Sequence, residues 1–191
     1  MLHTMLDVET LSLNNDGLIF AIGAVKFTKD KVLDRFLVGI DPADAQRYGG
    51  HIDAGTVMWW FDPERDEARK QMFELPKVDL ASALYGFVDW CSQPIALDTP
   101  TDEVPFEPLP LGSLWGNGAG FDNVLLKSAY RMADIDLSEV FSYRQHECYR
   151  TMRNRFPDVE FERVGTFHNP ADDAESQARH LMAICQKHGI E

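Results

Sequence analysis

Three strand-like runs crowd the first forty residues, the second and third rich in Ile, Val and Phe, and they constrain the fold more than any other feature of the chain. Residues 2–7 read as a short strand, and residues 18–27 and 32–40 as two longer ones. The links between them are polar. Asn14-Asn15-Asp16-Gly17 carries an Asp-Gly pair suited to a chain reversal, and Thr28-Lys29-Asp30-Lys31 separates the second pair. A meander of this kind exposes apolar faces that later parts of the chain must cover.

The later parts are mostly helical. Residues 41–55 are polar and Gly-bearing, which predicts a loop, and residues 56–71 have helical character. Residues 79–91 place Leu80, Leu84, Phe87, Val88 and Cys91 at helical spacing. Residues 92–112 hold five of the ten prolines. Neither flank is long enough to be a separate domain, so this stretch is expected to be a surface excursion from a single domain spanning residues 1–191. Residues 114–116 resemble a short buried strand leading into Asn117-Gly118-Ala119-Gly120. A helix is expected from 121 or 122 to 132, with Val124, Leu125, Ser128, Ala129 and Met132 on its inner face. Residues 141–149 fit no single pattern, and residues 150–156 read as a short helix stopped by Pro157. The last helix starts near Pro170, runs to about His188, and turns Ala174, Ala178, Leu181, Met182 and Cys185 inward. Strands first, helices later and a strand–Gly turn–helix unit between them predict an α/β fold with a mixed sheet.

Three motifs carry chemistry. In Leu6-Asp7-Val8-Glu9-Thr10 the two carboxylates lie two apart on a strand and so share a face. Side by side they repel unless a cation sits between them, although solvated charges at a strand end are the commoner occurrence. In Trp115-Gly116-Asn117-Gly118-Ala119-Gly120-Phe121-Asp122, glycines at a strand end let the backbone approach a ligand, and Asp122 opens the next helix, where Asp is also an ordinary cap. In His168-Asn169-Pro170-Ala171-Asp172-Asp173, Asn169 is the expected N-cap and Pro170 the first helical residue. His168 then stands just outside the helix and Asp173 just inside it. Asp172 has the simpler role of a carboxylate favoured by the helix dipole. Together, four carboxylates from three segments and a histidine make the set required for two-metal phosphodiester hydrolysis.

In that order the residues resemble the DEDDh 3′-5′ exonuclease superfamily, which has a ribonuclease H-like fold. The branch most similar holds the phage DexA exonuclease and a small mycobacterial exoribonuclease. The likeness extends through Met5-Leu6-Asp7-Val8-Glu9-Thr10-Leu11, Ile22-Gly23-Ala24-Val25, Val57-Met58-Trp59-Trp60, Trp115-Gly116-Asn117-Gly118 and Phe121-Asp122-Asn123. It implies a mixed central sheet of about five strands flanked by helices. It also implies two divalent ions, Mg²⁺ or Mn²⁺. Asp7, Glu9 and Asp173 would hold the first, Asp7 would bridge to the second, and Asp122 would support the pair. His168 would be the general base. Thr10 and Leu11 would meet the terminal nucleotide through their backbone and the Leu11 side chain. Asn117 would hydrogen-bond the sugar or orient a ligand carboxylate.

The partner implied is the 3′ end of single-stranded RNA or DNA, with RNA preferred and nucleoside 5′-monophosphates released. The alternatives are an exodeoxyribonuclease using the same site, or a catalytically silent nucleic-acid-binding module. In Met58-Trp59-Trp60-Phe61, Trp60 and Phe61 are expected in the core. Trp59 is a candidate for stacking a base, and the run is also a candidate surface for a homodimer. Arg144, Arg150, Arg153, Arg155 and Arg163 stand ready either to hold phosphates or to pair with Glu147, Asp158, Glu160 and Glu162. The remaining histidines, His3, His51, His146, His180 and His188, show no ligand spacing.

A net charge of −13 excludes a protein that coats long duplex DNA by general phosphate neutralisation. Three separated cysteines, Cys91, Cys148 and Cys185, suggest a reduced cytoplasmic protein. The opening residues lack the pattern of a secretory signal, and no run is long enough for a membrane span.

Overall fold

The structure is a computed structural model describing residues 1–95, 109–135 and 140–190. The expected meander forms β1 (Leu2–Thr10), β2 (Ile19–Phe27) and β3 (Val32–Ile40), antiparallel in sequence. The reversal after β1 closes where Gly17 N–H donates to the Asn14 carbonyl at 2.9 Å.

Within the span expected to be loop lies a short helix, α1 (Pro42–Arg47). Asp41 accepts from the Ala43 N–H and Pro42 occupies the first turn, the same Asx-Pro device as Asn169-Pro170. The helix expected over 56–71 is two, α2 (Ala54–Trp60) and α3 (Asp66–Glu74). They are broken where Asp62 caps a single 3-10 turn begun by Pro63, which has no N–H to continue α2. A two-residue strand, β4 (Lys77–Val78), follows, then α4 (Leu80–Ser92). Most of the proline-rich excursion, 96–108, lies outside the described residues. Its ends meet, with Leu109 N–H donating to the Ile95 carbonyl at 2.9 Å.

Strand β5 (Leu111–Gly116) leads into α5 (Asp122–Met132). The buried face of α5 is Leu125, Leu126, Ala129 and Tyr130 rather than one centred on Val124 and Ser128. The helix is turned because Tyr130 reaches across to donate to the Leu84 carbonyl at 2.8 Å. The indecisive stretch 141–149 contains β6 (His146–Cys148), and α6 (Tyr149–Arg155) and α7 (Pro170–His188) follow.

The sheet is mixed, has six strands in the order β4-β3-β2-β1-β5-β6, and is flanked by helices. β5 runs parallel to β1 and β6 to β5. The larger core lies on one face, where Leu6, Val8, Ile22 and Ala24 meet Leu84, Phe87, Leu126 and Tyr130. On the other face Met5, Val25 and Phe27 pack against Ala174, Ala178, Leu181 and Met182 of α7. Helix α7 reaches the sheet at Gly23, where a Cβ would sit 2.2 Å from the Ala171 nitrogen. Gly23 is the register partner of Asp7, so this close approach sets the start of α7 beside the acidic face of β1. Among the described residues no helix is long and apolar enough to cross a membrane.

Candidate active site

Alternation along β1 sends Leu6 and Val8 into the larger core and leaves Asp7 and Glu9 on the face that carries α7. Helix α7 begins as expected, with the Asn169 side chain accepting from Ala171 and Asp172 N–H groups. That phase brings Asp173 to the β1 carboxylates. Ligand atoms of Glu9, His168 and Asp173 lie within 4.8 Å of one another. Asp172 turns away, accepting from the Thr166 N–H at 2.7 Å and from Arg35 at 2.6 Å.

Asp122 enters from the other side of β1. Gly116 permits this approach, because a Cβ there would sit 2.2 Å from Asn123 Oδ1. Asp122 Oδ1 accepts from the Val8 N–H at 3.4 Å, while its Oδ2 is buried without any hydrogen-bond partner. Such an orphaned carboxylate oxygen is costly unless a cation or donor meets it.

Electrostatics mark the same spot. Burial, then the charges of Asp122 and Asp173, push the Asp7 carboxyl well above the usual range. Burial, then Asp7, Asp173 and Asp122, do the same to Glu9. Asp122 is pushed up to about 7 by burial, and burial raises Asp173 against the lowering effect of Arg163. The His168 imidazole moves the opposite way, down to about 4, because burial and the charges of Arg65 and Arg163 disfavour its cation. Mutually repelling carboxylates with an unsatisfied oxygen fit divalent cations, which would lower all four pKa values together.

His168 is held firmly. Its backbone has φ of 63°, and its N–H donates to Asp173 Oδ2 at 3.1 Å. Its ring meets Trp59 edge to face with centroids 4.8 Å apart. A non-glycine residue in the left-handed region is strained, and the surrounding contacts keep it there.

Beside Glu9 opens a cleft of about 470 Å³ lined by Thr10, Thr56, Trp59, Trp60 and Phe121. Trp59 is 39% exposed, whereas Trp60 is buried and donates to the Thr10 carbonyl at 3.0 Å. Phe61, expected in the core, is 61% exposed because α2 ends at Trp60 and turns it outward. Leu11 lines a neighbouring apolar pocket with Phe20, Val57 and Phe73. Its backbone is already engaged, with its N–H donating to Leu18 and its carbonyl accepting from Asp53. Asn117 engages the site with its main chain, its carbonyl accepting from Arg150 at 2.6 Å.

Among the described residues none of the five arginines pairs with Glu147, Asp158, Glu160 or Glu162; Asp158 is taken by Lys187 and His188. Instead Arg153 lies over Phe161, Arg155 over Phe156, and Arg163 pairs with Asp173. Two contributors escaped the sequence reading. Gln177 donates to Asp7 Oδ1 at 2.9 Å and stands one helical turn after Asp173, a spacing that would have revealed it. Arg65 lies over the Trp59 ring at 3.9 Å and had no such signal.

Comparison with known proteins places these residues in a family context. The model of the 3′-5′ exoribonuclease Rv2179c-like domain matches residues 2–185. No curated protein matches by sequence. Among solved structures, the nuclease domain of 3′hExo, a DEDDh family member bound to rAMP, is similar with a TM-score of 0.65 at 12% identity, over 99% of this chain and 94% of that one. E. coli Exonuclease I in complex with a dA16 oligonucleotide has a TM-score of 0.64 at 12% identity, over 97% of this chain and 41% of that one. Cell-death related nuclease 4 has a TM-score of 0.60 at 13% identity, over 97% of this chain and 64% of that one. At these identities the likeness shows a shared fold, the ribonuclease H-like fold of DEDDh exonucleases.

Proposed function

Because the chain belongs to the 3′-5′ exoribonuclease Rv2179c-like domain family, we propose that it removes nucleotides from the 3′ end of single-stranded RNA, releasing nucleoside 5′-monophosphates. The observation that carries this reading is the convergence of Asp7, Asp122, Asp173 and His168 on Glu9, which itself lines an open cleft. Asp7, Glu9 and Asp173 would hold one divalent cation, Mg²⁺ or Mn²⁺, and Asp7 with Asp122 a second. When bound, these ions supply a water of lowered pKa and neutralise charge on the phosphate and the leaving oxygen.

The remaining work falls to the chain itself. His168 is neutral at physiological pH, so a ring nitrogen is free to accept the proton of the attacking water. The water oxygen bonds to phosphorus, the bond to the 3′ oxygen of the preceding nucleotide breaks, and the shortened strand keeps a 3′ hydroxyl. Gln177 holds Asp7, and the main chain of Val8 holds Asp122, so the carboxylates are positioned beforehand. The cleft beside Glu9 takes the terminal nucleoside, with Trp59 stacking its base for about 1–3 kcal/mol. Arg144, Arg150, Arg153 and Arg155, which pair with no acidic residue among the described ones, supply positive charge that the acidic whole lacks.

A second reading, the same hydrolysis on DNA, is supported by the dA16 complex of the structurally similar Exonuclease I. The test is a time course on 5′-labelled RNA and DNA single strands with Mg²⁺, Mn²⁺ or chelator. A metal-dependent ladder shortening from the 3′ end of RNA is expected, and DNA shortened faster than RNA would shift the substrate class. No shortening of either strand with either metal would overturn the enzyme reading.

A further inference from the structure

Asp173 has both oxygens taken by the protein. Oδ2 accepts from the His168 N–H, and Oδ1 is ion-paired with the Arg163 guanidinium. Arg163 lies in the chain between α6 and α7, and its side chain is 34% exposed. It therefore caps the carboxylate cluster from the solvent side. The same guanidinium lies over two aromatic rings, Phe167 at 4.3 Å and Phe161 at 5.6 Å from their centroids. Cation–π contacts of this kind hold a guanidinium without fixing its hydrogen bonds, so Arg163 can leave Asp173 while its stem stays in place.

A divalent cation and a guanidinium cannot both take the inner lone pairs of Asp173 Oδ1 at full strength. We infer that Arg163 is a displaceable counter-ion: it holds Asp173 when the site lacks divalent cations, yields that oxygen when one enters, and then meets the phosphate of the terminal nucleotide. This rests on Asp173 being a metal ligand, as proposed above. The charge of Arg163 also reaches Asp7 and His168, so its withdrawal is felt across the site. The planar fork that grips a carboxylate is equally matched to a phosphate, which makes one residue suited to both positions.

The two roles predict effects of opposite sign, which a merely structural arginine would not produce. In calorimetric titrations without nucleic acid, Arg163→Gln should bind Mn²⁺ about three- to tenfold more tightly than the wild type, because a competing cation is gone. With Mn²⁺ saturating, the same variant should bind adenosine 5′-monophosphate about tenfold more weakly. Arg163→Lys keeps the charge without the fork. It should fall between the two on both measurements and carries the test if Arg163→Gln does not fold. Equal Mn²⁺ affinity in wild type and variants, or weakening of Mn²⁺ and nucleotide together, would overturn the counter-ion exchange alone. A wild type that binds no Mn²⁺ would overturn the metal-site reading and the exchange with it.

Discussion

The two faces of β1 obey opposite rules. On one, Leu6 and Val8 are sealed into a core with Leu84, Leu126 and Tyr130, where each contact favours the folded chain. On the other, Asp7 and Glu9 face Asp122 and Asp173, and burial and like charge make each carboxylate disfavour ionisation of the next. From Leu6 to Glu9 the strand thus carries stabilising and destabilising side chains in alternation. The apolar face and the close seating of α7 at Gly23 hold the acidic face in a geometry it would not keep unaided. Function and stability are separated here by strand parity rather than by distance along the chain.

Neighbouring substitutions should break that pairing most sharply. Asp7→Asn should reduce RNA shortening to background while raising the melting temperature of the metal-free protein, since one of four repelling charges is removed. Leu6→Ala, one residue earlier, should lower stability by about 2–5 kcal/mol and leave the turnover of the folded enzyme nearly unchanged. Denaturant unfolding and a single-turnover assay on both variants check this, and a Leu6→Ala enzyme that is fully stable but inactive would reverse the assignment of the faces.

The next effect belongs to His168. Its replacement by Ala should lower turnover by ~10²–10⁴-fold with Mn²⁺ affinity largely kept, read by rate and by calorimetry on the same sample. Unchanged turnover would make the residue structural.

A smaller effect separates the faces by pH. Asp122 is raised to about 7, so the folded protein holds its proton while the unfolded chain has already lost it. A raised carboxylate gives stability that is full below its unfolded pKa and is lost as pH rises through the folded value. In chelator, therefore, the melting temperature should fall between pH 6.5 and 8. Asp122 alone contributes on the order of 1 kcal/mol, roughly 2–4 °C, with Asp7 and Glu9 acting in the same direction. His168, lowered to about 4, pulls the other way only while the unfolded imidazole is still protonated, so it offsets the fall at lower pH and leaves it steepest close to pH 7. Thermal scans with chelator should show it, and Mn²⁺ should flatten it.

What could be read in advance divides along similar lines. β2 and β3 are announced by dense runs of Ile, Val and Phe, α4 and α7 by helical spacing of apolar residues, and the two-residue spacing on β1 places Asp7 and Glu9 on one face. β4 and β6 were invisible because two or three residues have no period; they are strands only because Gly39 and Leu114 lie beside them. Asp41-Pro42 is as legible a helix start as Asn169-Pro170, since each pairs an Asx cap with a proline in the first turn. Phe61 has no local signature of its exposure, which depends on where α2 stops and so on the Asp62-Pro63 pair. The contact of Arg163 with Asp173 had no local signature, since the chain from Pro157 to Asn169 has neither helix nor strand to set its path.

The finest distinction lies between two adjacent carboxylates, Asp172 and Asp173, and it sharpens the comparison to a single helix phase. Asp172 is at the third position of α7, where the dipole favours negative charge, and it ties Thr166 N–H and Arg35 to the helix start. Asp173, one residue on, is rotated toward Glu9 and His168. Asp172→Asn keeps an acceptor for Thr166 and loses the charge opposite Arg35, which still has Glu175. The expected cost is about 0.5–1 kcal/mol, with exonuclease turnover within about twofold of the wild type. Asp173→Asn should instead leave no turnover. A side-by-side assay of the two variants decides between them: a rotation of α7 by one residue would exchange their phenotypes, and it would also lift Ala174, Ala178 and Leu181 off the sheet.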